Sequence, residues 1–398
     1  MRMLADRKIV LGITGGIAAY KAASLTRLLV KEGAAVKVIM TSSAQEFITP
    51  LTLQTLSGQP VYTKMFTPRQ ENELTHIALA EFADLLVVAP ATANVIGKIA
   101  GGIADDLLTT TVMATKSPVL FCPAMNANML ANPAVRENME KLIARGYFLM
   151  TSAYGDLACK VEGMGRLPEP EEIVEEINTI LTPKDLHGRN MLITAGPTRE
   201  PLDPVRFITN YSSGKMGYAL AIMARRRGAN VTLISGPSAL APPRGVNFIG
   251  IATACEMLDA VLEHYKQANV IIKAAAVADY RPAERALSKI KKREGNLRLT
   301  LERNPDIIAE LGRQKDNRII IGFAMETENL VENAIAKMEN KNMDYIVANL
   351  LAQPGAGFQH DTNIVTIISR NGTREDLPLM NKMQVANRIL DKVRFHNE

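Results

Sequence analysis

The chain lacks any apolar run long enough to span a bilayer. Its longest such stretches, Leu85–Ala91 and Ile271–Ala278, have the length of buried strands. Cysteine is scarce: Cys122, Cys159 and Cys255 are too few and too scattered for a disulfide framework or a zinc cluster. The five histidines, His76, His187, His264, His360 and His396, lie far apart with no H-E-x-x-H spacing, so no zinc site is expected. A basic stripe is missing as well. Lysine and arginine total 46 against 41 acidic residues, and this modest excess is spread along the chain. That suits small anionic ligands and excludes the banded charge that a nucleic-acid duplex requires. Neither G-x-G-x-x-G nor G-x-x-x-x-G-K-[ST] occurs, which removes the dinucleotide fingerprint and the Walker P-loop. The opening MRMLADRKIVLGITGG runs straight into a strand and a glycine turn without a leader, so a cytoplasmic location is expected.

What is present fits a globular α/β chain of 398 residues, 47% hydrophobic and 22% charged, long enough for two cores. Two segments begin alike. A strand over Lys8–Ile13 leads into Thr14-Gly15-Gly16, a helix over Ile17–Lys31 and a second strand over Ala35–Met40. In the second half, a strand over Asn190–Ala195 is followed after a loop by a helix over Ser213–Arg227 and a strand over Val231–Ser235. Further strands are expected at Leu85–Ala89, Pro118–Cys122, Val270–Ala275, Ile319–Phe323 and Tyr345–Ala348. NIVTIIS–RNGT–REDLPL reads as a hairpin around Asn371-Gly372, and a helix closes the chain over Asn381–Phe395. Strands alternating with helices predict two Rossmann-like three-layer α/β domains. The polar stretch TPKDLHGR has the marks of a linker, which places the domains at 1–188 and 189–398.

In the first half, Gly12-Ile13-Thr14-Gly15-Gly16 sits where a strand meets a helix. Glycines there let the backbone approach a phosphate, and the helix N-terminus supplies free N–H groups. Bare, the motif serves equally as a tight turn. APATAN and PAMNANM both follow buried strands, where doubly wound sheets place ligand contacts. With TGGIAAYK, Thr75-His76-Ile77, ADDLLTT and Ala158-Cys159, these segments resemble the homo-oligomeric flavin-containing cysteine decarboxylases over most of residues 8–168.

That resemblance implies a flavodoxin-like domain holding FMN, its phosphate over Gly15 and Gly16 with hydroxyls such as those of Ser42 and Thr92. It implies oxidation of a substrate thiol by flavin, loss of carbon dioxide with the electron pair delocalised onto sulfur, and return of the hydride. Asn126 then holds the leaving carboxylate through amide donors, and His76 orients substrate or moves a proton. Cys159 is the implied acid, since an ordinary thiol is largely protonated at neutral pH. Read alone, a single histidine is usually structural and a single cysteine usually inert. Cys122, inside a strand, reads as packing. Lys160 stands where the family often has glycine.

The second half opens with ITAGPTREPLDPVR and YSSGKMG, and continues with AAAVADYR, KIKK and NPDI. KIKK alone is a solvated charge run. Together the segments resemble the bacterial phosphopantothenate–cysteine ligases across most of residues 190–350, and the order of the halves resembles the bacterial bifunctional enzymes of coenzyme A biosynthesis. The implied reaction joins 4′-phosphopantothenate to cysteine using CTP, through an acyl-cytidylate, with Mg²⁺ and Lys289 balancing polyphosphate charge. Asn210 is the implied holder of the acyl intermediate. Ala274, Ala275, Ala276, Asp279, Pro305, Asp306, Ile307, Ile308, Phe323, Lys337 and Lys341 fall on nucleotide-site positions, with Asp279 also the implied metal contact.

The same resemblance implies a homo-oligomer of decarboxylase trimers and ligase dimers, up to a dodecamer, with small-molecule substrates, no nucleic acid and no membrane. A peptidyl-cysteine decarboxylase or flavin prenyltransferase would leave ITAGPTREPLDPVR without a role. A phosphatase-binding regulator would not need His76, Asn126 and Cys159 together.

Overall fold

The structure is a computed structural model that describes residues 3–66, 75–156, 162–291, 296–326, 330–350, 357 and 359–393. It divides into two compact units, Met1–Thr182 and Pro183–Glu398.

The first unit carries strands β1 (Lys8–Ile13), β2 (Ala35–Met40), β3 (Val61–Tyr62), β4 (Leu85–Ala91), β5 (Val119–Pro123) and β6 (Phe148–Leu149) in one sheet. Their order is β3-β2-β1-β4-β5-β6, with every pair parallel. β4 and β5 are buried along their whole length, as a parallel sheet covered on both faces requires. The covering helices are α1 (Lys21–Lys31), α2 (Pro50–Ser57), α3 (Thr75–Phe82), α4 (Ala93–Ala100), α5 (Leu107–Ala114), α6 (Ala127–Ala131), α7 (Pro133–Ala144) and α8 (Pro170–Leu181). On one face Leu25 and Leu29 of α1 meet Ile173 and Ile177 of α8; on the other Ile96, Ile99 and Val112 pack under Phe121. The long helix expected from Ile17 begins instead as a 3-10 turn, Ile17–Tyr20, before α1 takes over. β7 (Ala153–Asp156) and β8 (Glu162–Arg166) form a separate antiparallel hairpin.

The second unit's sheet contains β9 (Asn190–Ala195), while β10 (Arg199–Pro201) and β11 (Phe207–Thr209) form a small ribbon beside it. After α9 (Lys215–Arg226) come β12 (Asn230–Ser235), β13 (Asn247–Gly250), α10 (Ala254–His264) and β14 (Val270–Lys273). A second ribbon, β15 (Tyr280–Pro282) with β16 (Leu301–Arg303), precedes α11 (Ile307–Arg313), β17 (Ile319–Glu326), α12 (Leu330–Asn340) and β18 (Tyr345–Leu350). The expected hairpin is β19 (Thr362–Ser369) and β20 (Arg374–Asn381), and α13 (Lys382–Leu390) follows. Strand order is β13-β12-β9-β14-β17-β18-β19-β20, parallel as far as β18 and antiparallel beyond. α10 and α13 start at side-chain capping boxes, Thr253 with Glu256 and Asn381 with Gln384.

Two expectations need correction. β14 ends at Lys273 rather than Ala275, because the chain leaves the ladder there and Ala276 pairs with Pro197 as an isolated bridge. The segment read as a linker is anchored to the second unit. Leu186 N–H donates to Arg227 O at 2.9 Å, and the buried Arg227 guanidinium pairs with Asp185 at 2.7 Å and Asp391 at 2.9 Å.

Candidate functional site

Each sheet reverses its winding beside its first strand, between β1 and β4 and again between β9 and β14, and each carries a cavity at the carboxyl ends of those strands. This is where open α/β sheets bind ligands.

The first cavity encloses about 840 Å³. Gly15, Gly16, Ser42, Thr92 and Asn126 all line it. Gly15 is compelled by space: a Cβ there would lie 2.3 Å from Ser43 Cβ. Thr14 hydroxyl donates to Pro90 O at 2.8 Å and accepts from Thr92 N–H at 3.2 Å, which ties the glycine turn to the start of α4. The first residues of the turn at Ile17, of the turn at Ser42 (capped by Thr41) and of α4 all line this one cavity. Such ends collect an anion. Ile17, Ala18, Tyr20 and Met129 line the same cavity and offer an apolar surface to a flat ring.

Asn126 caps α6, its Oδ1 accepting from Asn128 N–H at 2.8 Å, so the amide nitrogen is the donor end. Gly165 of β8 lies against this loop: Met125 N–H donates to Gly165 O at 2.9 Å, and a Cβ on Gly165 would meet Met125 O at 2.1 Å. Cys159 and Lys160 fall between β7 and β8, outside the described residues. His76, on α3, is half-buried and does not line this cavity. Cys122 is fully buried against Met150 sulfur, and burial pushes its thiol far above the ordinary range, so it packs and does not react. The pattern missed Lys98 and Asp106 on the cavity wall. Lys98 Nζ sits 2.7 Å from Asp105 and 3.3 Å from Asp106, and the Asp105 contact raises its pKa despite partial desolvation.

The second cavity encloses about 710 Å³. Asn210, Ala274, Ala275, Ala276 and Asp279 line it, as do Pro305, Asp306, Ile307, Ile308, Phe323, Lys337 and Lys341. Asn210 Nδ2 donates to Ala276 O at 2.9 Å, which fixes the amide over the loop after β14. Gly217 lets α9 press onto β9, since a Cβ there would lie 2.5 Å from Ala195 Cβ. Gly214 takes φ +80° at the N-cap of α9, a left-handed conformation that favours glycine.

Asp306 caps α11 by accepting from Ala309 N–H at 3.1 Å and pairs with Lys341 at 2.7 Å. Its pKa is lowered although burial opposes this, the Lys341 hydrogen bond being the largest lowering contribution. Among the described residues no group of three or more His, Cys, Asp or Glu could hold a metal; Asp279 and Asp306 are the carboxylates on this cavity. Lys289 is exposed and does not line this cavity; Lys292, the last residue of KIKK, lies outside the described residues.

Three lysines on this cavity went unassigned by pattern: Lys215, Lys273 and Lys382. Lys215 is held by Asp361 at 2.6 Å and by Gln359 O, which is no Walker lysine arrangement. Burial lowers Lys273 to about 8, with Lys337 and Lys341 adding repulsion and Asp306 and Asp279 opposing it. Burial lowers Lys382 to about 8 as well. The available signal for Lys273 was its place: a lysine closing the apolar strand VIIK at the sheet end where ligands bind.

Among the described residues no helix is long and apolar enough to cross a membrane. The Flavoprotein family model matches residues 1–182, and the model described as DNA/pantothenate metabolism flavoprotein C-terminal domain matches residues 186–395. The coenzyme A biosynthesis bifunctional protein CoaBC of Bacillus subtilis (strain 168) is 49% identical over 395 residues, covering 98% of this chain and 97% of the relative. That of Vibrio cholerae is 48% identical over 393 residues, covering 98% of each. A crystal structure of the C-terminal domain of a CoaBC protein matches at 47% identity, covering 53% of this chain and 96% of that one, with a TM-score of 0.46. The chain belongs to the family of bifunctional coenzyme A biosynthesis proteins, with a flavoprotein domain first and the pantothenate-metabolism C-terminal domain second.

Proposed function

We propose that the second unit joins 4′-phosphopantothenate to L-cysteine at the expense of CTP, and that the first unit decarboxylates the product to 4′-phosphopantetheine. The chain is thus a carbon–nitrogen ligase and a carboxy-lyase in one polypeptide. The observation that carries this reading is the convergence of the residues on two cavities, each suited to one half of the chemistry.

Two features of the first cavity support FMN there: the Gly15 position has no room for a Cβ, and the starts of two turns and of α4 line the cavity together. Bound there, FMN supplies the two-electron chemistry of the substrate thiol. Gly15, Gly16, Ser42 and Thr92 would hold its phosphate. Asn126 meets the substrate carboxylate with amide donors and leaves it without a counter-charge, so carbon dioxide can depart. Cys159 returns a proton to the product.

In the second cavity, Lys273, Lys337, Lys341 and Lys215 set a positive field suited to a polyphosphate. Asp279 would hold Mg²⁺ here, which would supply charge balance for the polyphosphate. Ala274–Ala276 and Pro305–Ile308 line the nucleotide's place with backbone, and Phe323 offers it a ring. The substrate carboxylate attacks the α-phosphate, pyrophosphate leaves, and the cysteine amine displaces CMP from the acyl-cytidylate held at Asn210. Lys289 neutralises polyphosphate charge.

Lys289 and His76 lie outside the cavities of their own chain, and Leu51, Phe66 and Tyr154 expose apolar surface. Both facts support a homo-oligomer in which a second copy completes each site, trimeric through the first unit and dimeric through the second. The expected location is the cytoplasm.

The test is an assay of the purified protein with 4′-phosphopantothenate, cysteine, Mg²⁺ and either CTP or ATP. Carbon dioxide and 4′-phosphopantetheine are expected with CTP and only in the full mixture. Bound flavin without ligation would overturn the reading of the second unit; a colourless protein that ligates but does not decarboxylate would overturn that of the first.

A further inference from the structure

Asp203 sits in the turn joining β10 to β11, and only 2% of it is exposed. Its Oδ1 accepts from Val205 N–H and Arg206 N–H, both at 2.8 Å. Its Oδ2 accepts from Arg206 Nε at 3.0 Å, Arg206 Nη2 at 2.6 Å and Ile290 N–H at 3.1 Å. Arg206 Nη2 also donates to Ile290 O at 2.9 Å, and Ala286 N–H donates to Leu202 O at 3.0 Å. The turn itself needs only the first two bonds, an ordinary aspartate turn. Of the other three, two come from Arg206 in the same turn, and the Ile290 N–H reaches the carboxylate from 87 residues along the chain.

Burying a carboxylate this completely is costly unless its lone pairs are filled, and here they are filled partly by a distant segment. Ile290 is held by both its N–H and its C=O. Lys289 and Lys291 flank it, both exposed. The backbone on either side of Ile290 is thereby pinned to the buried Asp203 carboxylate and its exposed partner Arg206, and the arc available to the Lys289 ammonium is set by that anchor. Holding a reacting group to a fixed place is worth large factors in rate, and a 1 Å displacement costs roughly 10²-fold.

We infer that Asp203 is a positioning residue for ligation, acting through Lys289 by clasping Ile290. This rests on the reading of Lys289 as the lysine that neutralises polyphosphate charge. Asp203→Asn turns one acceptor oxygen into a donor facing N–H donors. Ile290→Pro deletes a donated N–H and leaves the carboxylate and its turn in place.

The experiment is a double-mutant cycle in the full chain, measuring CTP-dependent ligation for wild type, Asp203→Asn, Ile290→Pro and Lys289→Ala, and for each clasp variant combined with Lys289→Ala. Decarboxylation of supplied 4′-phosphopantothenoylcysteine by the same preparations is the control and is expected to be unchanged. Each clasp variant is expected to slow ligation about 10- to 100-fold in the wild-type background and less than about threefold once Lys289 is gone. Equal losses in both backgrounds would overturn the inference, because Asp203 would then act without Lys289. Wild-type ligation by Ile290→Pro would overturn it as well, and this arm holds even if Asp203→Asn fails to fold. Unimpaired ligation by Lys289→Ala would overturn the reading of Lys289 and the inference with it, a result distinct from the other two.

Discussion

The two units order their first six strands the same way, β3-β2-β1-β4-β5-β6 and β13-β12-β9-β14-β17-β18, and put a cavity at the same switch point. Their walls differ in kind. The first is built of glycine, small hydroxyls and helix starts beside Ile17, Tyr20 and Met129, with Lys98 committed to Asp105 and Asp106. The second carries Lys215, Lys273, Lys337, Lys341 and Lys382 against Asp279 and Asp306. A flavin brings a broad apolar ring and one phosphate, which backbone N–H groups can hold. A nucleoside triphosphate in transfer brings a polyanion whose charge must be balanced by side chains. One strand order thus serves two chemistries, and the loops at the strand ends decide which. The second sheet also continues into β19 and β20, and that extension, with α13 behind it, brings Asn363 and Lys382 to the cavity.

The sharpest separation of the units is expected from Cys159→Ser. Formation of 4′-phosphopantetheine should fall about 10³-fold, the scale of a lost general acid, while carbon dioxide release persists and an enethiol accumulates; ligation should be untouched. Mass analysis of the product mixture checks this, and normal turnover would dismiss Cys159 as the acid. Asn210→Asp should do the reverse. Product release from the acyl-cytidylate is expected to slow about 10²-fold, with the intermediate visible by quench and chromatography and decarboxylation of supplied substrate intact. Absence of the intermediate would move Asn210 to the first half-reaction.

Next come the two crowded glycines. Gly15→Val places carbon where Ser43 already sits, and Gly217→Val drives α9 off Ala195. Each should cost its own unit about 1–3 kcal/mol, the first with loss of flavin absorbance and the second with loss of ligation, read by separate unfolding transitions. A loss of both activities from either change would break the picture of two independently built sites.

The smallest effect concerns Lys273. In the folded chain its pKa is lowered to about 8 from 10.5, so the unfolded chain holds that proton more tightly. Ligand-free stability should therefore rise as pH increases from about 8 towards 10.5, in the direction set by the greater proton binding of the unfolded state. A bound polyanion favours the charged amine, so nucleotide affinity should fall through the same window. Lys273→Met should raise the ligand-free melting temperature and weaken nucleotide binding about tenfold, the order of one partly screened charge contact. Calorimetry across buffers of different ionisation enthalpy would detect the proton taken up by wild type and missing in the variant. Equal uptake by both would assign the proton to another group, Lys382 being the nearest in character.

Local signals made much of this legible. The apolar runs at Lys8–Ile13 and Leu85–Ala91 read as core strands, and the glycine turn after the first of them was placed from sequence; that Gly15 and Gly217 have no room for a Cβ came only with the structure. What was not legible has one physical cause: it depends on residues far apart in the chain meeting in space. Lys382 reads as a surface lysine at the start of a helix until β19 and β20 fold it over the cavity, where burial lowers its pKa. Asp203 reads as an ordinary turn aspartate until Ile290 arrives. The sequence by itself determined two doubly wound sheets and their glycine turns, because strand periodicity and turn chemistry are local, while the family resemblances rested on its motifs. Only the tertiary structure decided which lysines share a cavity and which carboxylate holds the Ile290 backbone, because charge and hydrogen bonding depend on what burial brings within a few ångströms.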